Sequence, residues 1–193
     1  MAKRGILLLL ASALLSASGL AQAEIEKLAI PCETRLCVHW WPRLPRLAGW
    51  HHDREHSLYH GANALAPDGF TFKDAETVIY ARALYKPRVP DTPSLASLIE
   101  ADKRELLEKD PTIVIAEAEA MTTGDGQALR SFTFLPREDG NWERVAYGEE
   151  GDFFLLFTIS SRSREGFRAR AAAFEDLIRR YRKDLPAEDA AGE

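Results

Sequence analysis

The chain predicts an α+β fold, one antiparallel sheet with helices on both faces, and three observations carry that expectation. Residues 113–160 alternate with period two and are cut by short glycine-bearing turns. The last strand of that block, Phe153–Ser160, is almost wholly apolar, as a strand covered on both faces would be. One segment before the block and one after it repeat their apolar residues with helical period.

The chain begins with Lys3 and Arg4, a leucine-rich uncharged run from Gly5 to Leu15, and Ala21-Gln22-Ala23. That succession predicts a signal peptide over residues 1–23, cleaved after Ala23, and a periplasmic mature protein. The apolar run is too short to span a bilayer comfortably, no cysteine follows the cleavage triplet to carry a lipid, and no integral membrane anchor is expected after cleavage. Removing the leader with its two basic residues takes the net charge from −5 to −7. An acidic balance without a basic block argues against nucleic acid, and equally against anionic membrane surfaces, as partners.

Residues 24–48 form a lead-in rich in Pro and Trp, in which Pro31, Pro42 and Pro45 prevent a regular helix. An extended arm is expected, with Trp40 and Trp41 packed on the domain. Cys32 and Cys37 are the only cysteines, and in an oxidising compartment they are expected to form a disulfide. The loop is short, so the bridge is worth about 2 kcal/mol. Their spacing is not that of a thioredoxin-like redox pair.

Residues 49–183 form the single domain. Val78–Tyr85 alternates around Arg82 and predicts a strand. Thr92 is expected to cap a helix running to Lys109, with Pro93 in its first position and Leu95, Leu98, Ile99 and Leu106 on one face. Glu100–Arg104 and Glu105–Lys109 are spaced to pair on its wet side. Ile113–Met121, Leu129–Leu135, Trp142–Tyr147 and Phe153–Ser160 then read as a four-stranded meander, turning at residues 123–126, 139–140 and 148–152. Phe167, Ala171, Phe174, Leu177, Ile178 and Tyr181 make the stripe of a closing helix. The tail, 184–193, is expected to be disordered.

Gly49-Trp50, then Asn63-x-Leu65-x-Pro67-x-Gly69-x-x-Phe72, then Val78-Ile79-Tyr80, together with the apolar strand Phe153–Ser160 and the helix ending near Tyr181, resemble the PsbP-like superfamily over Gly49–Arg182. The superfamily includes photosystem II proteins, bacterial DcrB-like envelope proteins and a nuclear-import factor. The resemblance implies an α/β/α sandwich and non-catalytic accessory work. It carries over no catalytic residue, and its members bind different things.

Histidine placement is the one unusual chemical feature. His39, His51, His52, His56 and His60 lie within a short stretch, four of them in Trp50–His60. As a metal site the candidates are His52, Asp53, His56 and His60, with zinc or copper as the ion. A helix brings His52–His56 or His56–His60 together, but eight helical residues advance about 12 Å, so His52 and His60 cannot share one ion. The alternative is a solvated or hydrogen-bonded polar cluster. Asp53, His56 and Ser57 invite a nucleophile reading, yet adjacent residues on a helix point apart, and no serine lies in a Gly-x-Ser-x-Gly elbow. The leading expectation is a non-enzymatic exported protein, without cofactor, that binds another envelope protein. A periplasmic metal-binding protein and a hydrolase with an unrecognised site are the alternatives.

Overall fold

A computed structural model describes residues 25–31, 36–138, 140–186 and 189–191. The leader and Cys32 lie outside the described residues. Among the described residues the fold is mixed α+β: a seven-stranded, wholly antiparallel sheet, a separate two-stranded hairpin and three α-helices. Among the described residues no helix is long and apolar enough to cross a membrane.

The lead-in is a hairpin and not an extended arm. β1 (Ile25–Pro31) pairs antiparallel with β2 (Leu36–Pro42). Trp41 is buried, its indole N–H donating to Glu26, whose carboxylate also pairs with Arg43 at 3.0 Å. Trp40 packs on Tyr85 and Phe153, ring centroids 5.5 and 6.3 Å away. The tryptophans therefore meet the domain as expected, but from a strand whose backbone groups are paired.

The chain continues through β3 (Trp50–His52), the short α1 (Arg54–His60), β4 (Asn63–Pro67) and β5 (Thr77–Tyr85). After α2 (Leu95–Lys109) come β6 (Val114–Thr122), β7 (Ala128–Leu135), β8 (Trp142–Glu150) and β9 (Phe153–Ser161), closed by α3 (Arg164–Arg180). The strand order is β3-β4-β5-β9-β8-β7-β6, which puts β9 at the centre, as its apolar run predicts. Its side chains divide between two clusters. Leu155, Phe157 and Ile159 pack with Ile79, Phe174, Leu177 and Ile178, while Phe154 and Leu156 pack with Leu98, Ile99, Phe132 and Tyr147.

Three sequence expectations shift. Helix α2 is capped by Ser94, not Thr92, because Ser94 and Ser97 form a reciprocal capping box two residues later. On α2 Lys109 meets Glu105 at 2.6 Å as expected, but Glu100 takes Lys103 as its partner. Third, the tail beyond Asp184 is not free of the domain. Leu185 and Ala190 are buried, the N–H of Arg46 donates to Asp189 O at 3.0 Å, and that of Ala191 donates to Leu44 O at 2.8 Å. The lead-in supplies the partner that tail composition does not reveal. Residues 187, 188, 192 and 193 lie outside the described residues.

Candidate functional site

The histidine segment is divided by local structure. β3 ends at His52, Asp53 caps α1, and Gly61, at φ 63°, closes it in the left-handed region. The His39 ring lies so close to Gly61 that a Cβ there has no room, which seats the hairpin on the end of α1. The Asp53 carboxylate accepts from the backbone N–H of His56 and of Phe72, at 3.1 and 2.8 Å, and lies 2.9 Å from His56 Nδ1. Burial pushes this carboxyl up, but the N–H groups of Phe72 and His56 and the His56 ring outweigh it and hold it below the usual range.

This geometry divides the candidate metal set. His52 is in a strand, so it forms no helical pair with His56. Its Nε2 lies 2.9 Å from Ser57 Oγ. His56 and His60 do share a helix face, ring centroids 6.3 Å apart, with Phe72 stacked on His56 and tilted against His60. Among the described residues no group of three or more His, Cys, Asp or Glu could hold a metal ion. His52 is hydrogen-bonded to Ser57 and Asp53 to His56, while His60 lies on the rim of a cleft.

Ser57 is no nucleophile here. It is fully buried, and its hydroxyl donates to Asp53 O at 2.7 Å while accepting from Ala64 N–H at 2.9 Å. With the proton committed, only a lone pair remains for His52, whose Nε2 must therefore donate. That places a proton on His52 Nε2. Burial, with Arg54 close by, lowers the pKa of His52 and favours the neutral ring, with its proton on Nε2. A base that already donates to the serine cannot take its proton. His56 turns to Asp53 instead, so Asp53, His56 and Ser57 do not form a relay.

The structure assembles a different site, which the sequence reading missed. A cleft of about 360 Å³ opens over β5, β9 and β8, lined by Tyr80, Arg82, Glu143, Ser160 and Arg162 and rimmed by His60 and Phe72. Register explains its floor. Val78 pairs with Ser160 and Ser160 with Glu143, while Tyr80 pairs with Thr158, which pairs with Val145. Side chains directly opposite on neighbouring strands share a face, so these rows bring residues far apart in sequence side by side. The next row, Arg82–Leu156–Tyr147, runs into the apolar cluster with α2.

Ser160 Oγ donates to Glu143 at 2.7 Å. Burial pushes the Glu143 carboxyl up, and Asp102 adds to this, against the Ser160 hydrogen bond and Arg82. Burial likewise pushes the Tyr80 hydroxyl up. Arg162 donates to Lys73 O. Arg82 is exposed and has no hydrogen-bond or ion-pair partner among the described residues. Beside the rim residue His60, Tyr59 is 83% exposed, its ring edge-on to the His60 ring at 4.8 Å. Arg82 interrupting an apolar strand was the one sequence signal of this site.

No protein-family model matches the chain, and no curated protein matches its sequence.

Proposed function

We propose that this chain is an exported, non-catalytic binding protein, and that a partner protein engages it at the cleft over β5, β9 and β8. The observation that carries the reading is Arg82: a guanidinium left without a partner among the described residues, on the floor of an open cleft, beside the partly buried acid Glu143. An unpaired cation with aromatic groups at the rim has the chemistry of a protein contact, since Arg and Tyr concentrate binding energy at interfaces. The fully committed hydroxyl of Ser57 supports the non-catalytic reading.

Export to the periplasm rests on the leader over residues 1–23. The Cys32–Cys37 bridge belongs to the same reading, and the pairing of Cys37 with Ile30 at the turn end of the β1–β2 hairpin supports it. The fold is proposed to be an α/β/α sandwich of PsbP-like kind. The alternation of β9 side chains between a cluster with α2 and one with α3 supports opposite faces for the two helices.

Matched capture from native envelope extract tests the function. Proteins held by the wild type are expected to be released by Arg82→Glu, with affinity reduced at least about tenfold, because a contact charge is reversed. Identical capture by both, with both equally folded, contradicts the reading.

A further inference from the structure

A second surface carries chemistry that neither the histidine cluster nor the cleft uses. A groove of about 650 Å³ is lined by Arg46, Arg54, Arg180, His51 and His52 over Leu47 and Trp50, with no carboxylate in its lining among the described residues. Arg170 of α3 reaches the same place, its guanidinium 5.8 Å from the Trp50 ring. In a chain with net charge −5, this is a local concentration of one sign.

The guanidinium groups are unequally engaged. Arg46 donates its Nε–H to Ala190 O at 3.1 Å, and Arg180 lies 3.5 Å from Asp176. His51 is 3.6 Å from Asp68. Arg54 has no hydrogen-bond or ion-pair partner among the described residues, and its charge is felt by His52. Holding several cations in one groove with few balancing anions is unfavourable unless an anion enters. Planar guanidinium forks match the oxygens of a phosphate group, each contact being a charge-assisted hydrogen bond.

We propose that this groove binds a phosphate group, with Arg54 as its principal contact and Arg46 and Arg180 flanking it. The Trp50 floor, 8% exposed, and the Leu47 wall beside it keep water from one side of the bound group and strengthen those contacts. The site is independent of the cleft, so loss of one leaves the other in place.

Inorganic phosphate titrated into the full mature chain at low ionic strength, followed by amide chemical shifts, tests the site. Saturable shifts are expected at residues 46–54 and 180. Arg54→Ala is expected to weaken binding at least about tenfold, and Arg54→Lys, which keeps charge but loses the fork, to fall between. Vesicles of phosphatidylglycerol, against phosphatidylcholine, separate the sources. Phosphate binding without vesicle binding assigns a soluble phosphate, and vesicle binding lost in Arg54→Ala assigns a lipid headgroup. No saturable phosphate shifts, or shifts unchanged in Arg54→Ala with an unaltered melting temperature, would overturn the proposal.

Discussion

The cleft and the groove meet at the two ends of α1, and they handle charge in opposite ways. At the His60 end the cleft mixes Arg82 and Arg162 with Glu143 and Glu76, and at the Arg54 end the titratable groups of the groove are, among the described residues, arginines and histidines. Burial is the first cause of the pKa shift at a key residue of each, Glu143 and His52, and in each it disfavours the charged form. The consequences differ in sign because one group is an acid and the other a base. A segment that looks like one histidine cluster in sequence therefore serves two surfaces, parted by a helix of seven residues.

The scaffold common to both sites is the largest lever on that comparison. Phe174 is fully buried in the cluster that holds Trp50 and Leu47 under the groove and the β5 and β9 residues opposite the cleft floor. Phe174→Ala should cost on the order of 3–5 kcal/mol in denaturant unfolding, and a loss below about 1 kcal/mol would show the face to be misassigned. At the junction itself, Ser57→Ala strands Ala64 N–H and the His52 ring, while Asp53 O keeps only the backbone N–H of residue 57. About 1–3 kcal/mol should be lost, whereas an exposed nucleophile would leave stability unchanged. Replacing Cys32 and Cys37 together should cost about 2 kcal/mol, a local effect of a short loop. Thiol labelling of unfolded, non-reduced protein should find no free thiol, and two per chain would contradict the bridge.

The smallest effects are the most discriminating. The folded pKa of His52 lies below 6.5, so the unfolded chain takes up its proton first. Stability from this group is present above about pH 6.5 and lost as pH falls from there toward the folded value. The folded pKa of Glu143 lies above 4.5, so the unfolded chain releases its proton first, and stability is lost as pH rises from about 4.5 through the folded value. Each slope is at most about 1.4 kcal/mol per pH unit. Glu150 is also shifted up, by burial first, so Glu143 is best isolated by difference. Wild type minus Glu143→Gln should fall with rising pH, and wild type minus His52→Gln should fall with falling pH. Two differences of the same sign would remove the contrast.

The elements legible in sequence were those whose burial is one-sided or complete over many residues. Strand β9 shows as an apolar run, α3 as a stripe from Phe167 to Tyr181, and the meander as alternation between glycine turns. β4 was not legible. Its five residues, Asn63–Pro67, are all buried, so no alternation marks them, and they end on a proline. The β1–β2 hairpin hid behind its prolines, which lie at the strand ends Pro31 and Pro42 and not within them. Turn residues 148–152 misled because β8 continues through Gly148 to Glu150. The cleft was invisible for a different reason. Tyr80, Glu143 and Ser160 become neighbours only through the register of three strands, and nothing local at any of them encodes that adjacency. The groove was masked by averaging, since net charge is negative while one patch is basic.

The claim that matters most is that the cleft, and not some other exposed surface, meets the partner. Photo-crosslinking residues placed at Tyr59, beside the rim residue His60, and at Val114, on the far edge strand β6, compare the two surfaces in the native envelope. A discrete crosslinked species is expected from position 59, diminished by Arg82→Glu and missing from position 114. Equal products from both positions, or a product from position 114 alone, would contradict the assignment.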